Sequence, residues 1–112
     1  MADVASFVEV AKTGELPAGN MRAVKANGKD VVIVNYEGRY YAIGRYCTHQ
    51  GGDLSLGKLE GNVVTCPRHG SRFDVTTGVA IQGPKLGPFR LKTGNERTYE
   101  VRVEGNSIRI GV

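Results

Sequence analysis

The chain has 112 residues, a length that suits one domain with a modest hydrophobic core. Its 15 basic and 11 acidic residues give a net charge of +4, and the basic residues are scattered along the sequence, which argues against a nucleic-acid-binding surface. No apolar run approaches the length of a membrane span and the N-terminus lacks the order of a signal peptide, so we expect a cytoplasmic protein.

Short alternating apolar runs and 16 glycines predict an all-β fold with many turns. The predicted strands are, in chain order, 7–10, 21–26, 31–36, 40–44, 63–66, 71–74, 99–103 and 107–110. The segment 12–17 is predicted to form a helical turn or a loop. Tight turns are predicted at 37–38, 60–61 and 104–106. Residues 31–34 are too continuously apolar for a strand with one solvated face, so this strand is predicted to be central.

All the cysteines and histidines of the chain lie in two short motifs. One residue separates Cys47 from His49, two residues separate Cys66 from His69, and 16 residues lie between the motifs. Two similar loops that each carry one thiolate and one imidazole indicate a metal centre, and they favour a binuclear cluster over a single ion. A tetrahedral zinc ion stays open as the alternative, although zinc fingers usually place a cysteine pair before a histidine pair.

Together with their flanking residues, the segments 47–54 and 66–74 resemble the ligand motifs of the Rieske iron–sulfur family. The resemblance implies a [2Fe–2S] cluster with Cys47 and Cys66 on one iron and His49 and His69 on the other. Replacing two thiolates by neutral imidazoles removes negative charge, which raises the reduction potential to about −150 to +300 mV.

Several residues beside the ligands are expected to support the cluster. Gly52 and Gly70 suit loops whose backbone must approach the sulfides closely. Ser71 stands where the cytochrome bc-type members have a serine that donates to a sulfide, whereas Phe73 stands where those members have a tyrosine.

The resemblance implies a single Rieske domain over residues 1–112. We expect an antiparallel β-sandwich or barrel base with a small cluster-binding subdomain inserted at about 45–78. The proline-bearing segment 83–88 is similar to the loop that covers the cluster in this family.

Within the family, the chain looks like a stand-alone ferredoxin that serves oxygenases. The bc-type members have an extra cysteine in each loop, and Gly52 and Arg68 occupy the matching positions here. We therefore expect an electron carrier, not an enzyme, that takes one electron from a flavin reductase and passes it to a terminal oxygenase or oxidase. Arg45, Arg68 and Arg72 are predicted to dock acidic patches on these partners.

Two other functions stay open at this point. The chain could be the Rieske-type small subunit of a larger redox enzyme, as in nitrite reductase, or a zinc-stabilised binding module. A red-brown colour would separate the iron–sulfur protein from the zinc protein.

Overall fold

The computed structural model describes residues 6–48 and 51–112, which form thirteen β-strands and two short 3₁₀ turns. The first six strands are β1 Phe7–Lys12, β2 Met21–Ala26, β3 Lys29–Tyr36, β4 Arg39–Gly44, β5 Lys58–Glu60 and β6 Val63–Thr65. The others are β7 Arg72–Asp74, β8 Ala80–Gln82, β9 Lys85–Leu86, β10 Phe89–Arg90, β11 Thr98–Tyr99, β12 Val101–Glu104 and β13 Ser107–Gly111. The 3₁₀ turns are η1 Thr13–Glu15 and η2 Leu54–Leu56.

The strands pair into four antiparallel sheets. Two sheets have four strands, in the orders β11-β4-β3-β2 and β5-β6-β7-β8. The three-stranded sheet has the order β1-β13-β12, and β9 and β10 form a two-stranded hairpin. The predicted all-β, antiparallel class is confirmed.

Strand β3 is central because both of its faces are buried. Residues 31–34 have no exposed surface, as the continuous apolar run predicted. Since successive side chains of a strand point to opposite faces, Val31 and Ile33 enter one core and Val32 and Val34 enter another. The first core lies against the three-stranded sheet and includes Ile108 and Ile110 of β13.

The second core joins β3 to the sheet that carries the second ligand motif. It contains Val32, Val34, Ile43, Cys47, Leu54, Val64, Cys66, Phe73 and Val75. Each large apolar side chain buried in this way contributes about 1.5–3 kcal/mol, so the core fixes the ligand-bearing sheet on the larger one. Both cysteines of the chain belong to this core.

Most predicted strands agree with the structure to within two residues at each end, with two instructive differences. The predicted strand 99–103 is divided into β11 and β12, because the chain leaves the β4 edge after Tyr99 and joins β13 from Val101. The short strands β5, β8, β9 and β10 were not predicted. The sheet with the second motif continues through β8 to Gln82, beyond the expected subdomain boundary at 78, and the division into base and subdomain stays a prediction.

The turns behave largely as predicted. Glu37 and Gly38 both have positive φ, +54° and +87°, as a two-residue hairpin turn between β3 and β4 requires. Residues 12–17 contain the 3₁₀ turn η1. Within 6–48 and 51–112, none of the helical segments has the length and hydrophobicity needed to cross a bilayer.

Candidate metal centre

The two ligand motifs occupy two six-residue loops, 47–52 and 66–71. An isolated bridge between Tyr46 and Asp53 closes the first loop, and the Thr65–Arg72 pair of the β6–β7 hairpin closes the second. Each loop begins with its cysteine, so Cys47 and Cys66 occupy equivalent positions at the points where the chain leaves paired backbone.

The backbone hydrogen bonds of the two loops follow the same pattern. The Cys47 N–H donates to the Gly52 carbonyl at 2.7 Å, and the Gly51 N–H donates to the Cys47 carbonyl at 3.0 Å. In the second loop the Cys66 N–H donates to the Ser71 carbonyl at 2.7 Å, and the Gly70 N–H donates to the Cys66 carbonyl at 3.2 Å. The similarity of the two motifs in sequence therefore reflects one loop design used twice.

Glycines make this loop design possible. Gly51 and Gly70, each the fifth residue of its loop, have φ of +69° and +77°, a conformation that side chains rarely adopt. Gly52 is required for a different reason, because a Cβ added there would lie 2.5 Å from the Cys66 sulfur. The first loop thus packs its backbone directly on the thiol of the second.

The two thiols are buried next to each other without forming a disulfide. Cys47 and Cys66 are 5% and 3% exposed, and both are free. Burial raises the pKa of the Cys66 thiol, and the neighbouring Cys47 raises it further, while the backbone N–H groups of Arg68 and His69 act in the opposite direction. Two adjacent buried thiols ionise readily only when a cation compensates their charge, which is the chemistry of a metal-binding pair.

His69 lies in the second loop with its Nδ1 atom buried and without a hydrogen-bond partner among the described residues. A buried ring nitrogen is normally satisfied, so an unsatisfied one is what a missing metal ligand bond would leave. His49, the fourth predicted ligand, lies outside the described residues. Within 6–48 and 51–112, no three Cys, His, Asp or Glu side chains are grouped around one point as for a single ion.

Ser71 is the last residue of the second loop, and Phe73 lies on β7, which follows it. Ser71 is 1% exposed, and Phe73 is fully buried in the same core as both cysteines. The predicted supporting residues Gly52, Gly70 and Ser71 are therefore all parts of the two loops. Whether they act on a cluster stays a prediction.

The ends of the first loop are held together by an ion pair that the sequence did not indicate. The Arg45 guanidinium donates to both carboxylate oxygens of Asp53, with the shortest contact at 2.9 Å, and it lies 3.8 Å from Asp30. The hydrogen bonds from Arg45 lower the pKa of Asp53. Asp53 also accepts from the Ser55 N–H at the start of η2. Arg45 was predicted to dock a partner, but its charge is engaged within the protein.

The proline-bearing segment 83–88 lies against the second loop. Pro84 is fully buried, and the Lys85 N–H donates to the His69 carbonyl at 2.8 Å. The Arg90 guanidinium, at the end of β10, donates to the carbonyls of Gly70 and Gly83 at 3.1 and 3.0 Å. The β9–β10 hairpin is therefore attached to the backbone of the His69 loop.

Glu96 is a buried carboxyl near the first loop that sequence analysis did not select. It is 6% exposed, and burial raises its pKa to about 7. Its acidic neighbours in the sequence are ordinary surface residues, so only the three-dimensional structure distinguishes it from them.

Comparisons with known proteins give consistent results. The family model of the Rieske [2Fe-2S] domain matches residues 6–103. The ferredoxin component of the naphthalene 1,2-dioxygenase system of Pseudomonas aeruginosa is 36% identical over 93% of this chain and 93% of its own length. The solved ferredoxin of carbazole 1,9a-dioxygenase from Nocardioides aromaticivorans is 30% identical, with a TM-score of 0.80 over 96% of this chain and 98% of that one. A solved complex of reduced oxygenase and oxidized ferredoxin in carbazole 1,9a-dioxygenase matches at 28% identity with a TM-score of 0.78, over 94% of this chain and 92% of that one.

Proposed function

Because this chain belongs to the Rieske [2Fe-2S] domain family, we propose that it is a ferredoxin that carries one electron between a reductase and a terminal oxygenase or oxidase. In this proposal Cys47 and Cys66 hold one iron of the cluster, and His49 and His69 hold the other. The bound cluster supplies a site that accepts and releases a single electron. The protein positions this site and separates it from water on one side.

The observation that carries the proposal is the pair of matched loops around two free, buried thiols. The Cys47 and Cys66 side chains lie in one core, and the buried Nδ1 of His69 has no partner among the described residues. The donor set of two thiolates and a neutral imidazole suits iron–sulfur chemistry. The N–H groups of Arg68 and His69 act on the Cys66 sulfur and would stabilise its thiolate form.

The surface near the second loop has the character of a docking site. Phe89, on the hairpin attached to the His69 loop, is 69% exposed, and Ile81 and Leu91 are also exposed apolar side chains. Arg68 lies within the second loop and Arg72 directly follows it, and both supply positive charge there. Exposed apolar side chains together with basic residues suit a partner whose surface is apolar and acidic, and such charges increase the rate of encounter.

The relatives indicate which partners to test first. They are named as ferredoxin components of dioxygenase systems, and one of the solved structures is a complex of oxygenase with ferredoxin. We therefore expect a terminal oxygenase and a flavin reductase as partners, and no role in nucleic-acid binding. A small subunit of a larger nitrite-reductase-like enzyme remains the alternative, and it would co-purify with that enzyme. The cytoplasmic location stays a prediction that cell fractionation would test.

The direct test is metal and sulfide analysis of the purified protein. We expect two iron and two acid-labile sulfide atoms per chain, a red-brown colour, and a low average g value for the reduced protein, as for imidazole-ligated iron. One zinc ion per chain and no labile sulfide would refute the proposal. His69→Ala should abolish the cluster, whereas Lys85→Ala, which removes an exposed side chain beside the same loop, should retain it.

A further inference from the structure

The first ligand loop is held from outside by a short segment, residues 93–96, which we call the strap. The Thr48 hydroxyl donates to the Gly94 carbonyl at 2.6 Å and lies 2.9 Å from the Thr93 hydroxyl. The Thr48 backbone N–H also interacts with the Glu96 carboxyl and acts to lower its pKa, against the larger effect of burial. Thr48 is the residue between Cys47 and His49, so the strap contacts the backbone that joins the two proposed ligands of this loop.

Glycines on two neighbouring segments leave space for Glu96. A Cβ on Gly44, the last residue of β4, would lie 2.6 Å from the Glu96 Oε1 atom. A Cβ on Gly78 would overlap the Glu96 carbonyl, and the Gly78 carbonyl accepts from the Glu96 N–H at 2.7 Å. The position of the carboxyl is therefore fixed by its own backbone and by the absence of side chains around it.

An acid at this buried position is energetically unfavourable for the fold alone. Glu96 is 6% exposed, and its Oε2 atom has no hydrogen-bond partner within the described part of the chain. A buried carboxyl with an unsatisfied oxygen destabilises the folded state. The strap thus keeps a buried hydrogen-bond acceptor at the point where it contacts the ligand loop, although that acceptor destabilises the fold. This indicates a role at the site.

We propose that Glu96 is a positioning residue, which through Thr48 holds the first ligand loop in the geometry that retains the cluster and sets its potential. This inference rests on the proposed function. The inner hydrogen bonds of the loop join only its own residues, whereas the strap connects the loop to β4. Arg97, the residue directly after the strap, accepts from the Gly44 N–H at 2.9 Å. Without Glu96, the loop would be held to the strap by the Thr48 hydroxyl alone.

The test compares Glu96→Leu, which removes the acceptor, with Glu96→Gln, which retains it. Both variants are purified with the cluster bound. The readouts are the rate at which a chelator removes the cluster and the midpoint potential. We expect Glu96→Leu to speed cluster loss by about tenfold, the order of effect of one lost hydrogen bond, and to shift the potential. Glu96→Gln should lose its cluster as slowly as the unmodified protein. Glu100→Leu, an exposed glutamate nearby, should change neither readout.

Thr48→Val gives a second route that does not disturb a buried position, because Thr48 is exposed and valine has nearly the same shape. It removes the hydroxyl bonds to the strap and should also speed cluster loss. If Glu96→Leu and Thr48→Val both match the unmodified protein, or if Glu96→Gln loses its cluster as fast as Glu96→Leu, the positioning role is refuted. Absence of iron from the unmodified protein would instead refute the proposed function, so the two failures are distinguishable.

Discussion

At the scale of single residues, Ser71 is a buried serine at the end of the second loop. Ser71 closes the second loop through its carbonyl, which accepts from the Cys66 N–H at 2.7 Å, and the residue is 1% exposed. Its side chain therefore lies in a region of low dielectric, where a hydrogen bond to a charged acceptor is stronger than in water.

Ser71→Ala should leave the cluster bound but lower its reduction potential. A hydroxyl that donates to a sulfide favours the additional electron, and its loss should lower the potential by roughly 20–65 mV, since a net hydrogen bond is worth about 0.5–1.5 kcal/mol and a tenfold change in a one-electron equilibrium is 59 mV. Protein-film voltammetry measures the shift. Ser107→Ala, a buried serine of β13, is the matched control, and equal potentials for Ser71→Ala and the unmodified protein would show that Ser71 only closes the loop.

Gly52→Ala tests the close approach of the two loops. The new methyl group would lie 2.5 Å from the Cys66 sulfur, a distance that real contacts do not reach, so the first loop must move away from the thiol. We expect the iron content of the purified protein to fall several-fold. Gly14→Ala should have no effect, because nothing lies within 4 Å of the Cβ position there. Full iron content in Gly52→Ala would mean that the loops can separate without loss of ligation.

At the scale of elements, the ion pair between Arg45 and Asp53 joins the two ends of the first loop. Both side chains are partly buried, 29% and 17% exposed, and the contact is bidentate, which distinguishes it from the surface pair of Lys58 and Glu60 at 75% and 59%. Exposed pairs contribute little to stability, whereas partly buried bidentate pairs contribute more.

Asp53→Asn should therefore destabilise the protein and the loop. The amide oxygen still caps the Ser55 N–H, so the change isolates the charge on the carboxylate. We expect a loss of about 1 kcal/mol near neutral pH. Because Arg45 lowers the pKa of Asp53, this stability is present above the ordinary pKa of 3.8 and is lost as the pH falls through the lower value in the fold. Unfolding followed by circular dichroism at several pH values measures it, Glu60→Gln is the control, and an unchanged midpoint would contradict the prediction.

The elements that the sequence predicts are those with a strong local pattern. The runs in β2, β3, β4 and β13 alternate or are continuously apolar, and they were found with nearly correct ends. Strands β8, β9 and β10 have only two or three residues each, and their pairing depends on contacts with distant segments. The Glu60-Gly61 turn was predicted one residue early, because Glu60 still pairs with Val63. Local patterns cannot indicate such tertiary pairings.

For the whole molecule, the sequence located the candidate site more fully than its surroundings. The two loops were recognised because their chemistry lies in ligand types and spacing, which are local. The strap and the Arg45–Asp53 pair were missed because they join residues that are 48 and 8 positions apart, and single glutamates or arginines are usually solvated. The buried acid Glu96 is the clearest case, since burial, which sequence does not show, raises its pKa.

Glu96 should make the stability of the whole protein depend on pH between about 4.5 and 7. Its pKa is raised from the ordinary value of 4.5 to about 7 by burial, so in this window the unfolded chain has lost the proton while the folded protein retains it. Stability therefore falls as the pH rises from 4.5 to 7, by up to about 3 kcal/mol, and the loss is complete above 7.

Glu96→Gln removes the titrating group and keeps the acceptor for Thr48. The variant should be about as stable as the unmodified protein near pH 4.5 and more stable at pH 8, where the unmodified protein must bury the charged form. Thermal unfolding of the cluster-bound protein at both pH values gives the two differences in midpoint. Glu100→Gln, at an exposed position, should give no difference at either pH. A stabilisation by Glu96→Gln that is equal at pH 4.5 and pH 8 would show that ionisation of this carboxyl is not linked to folding.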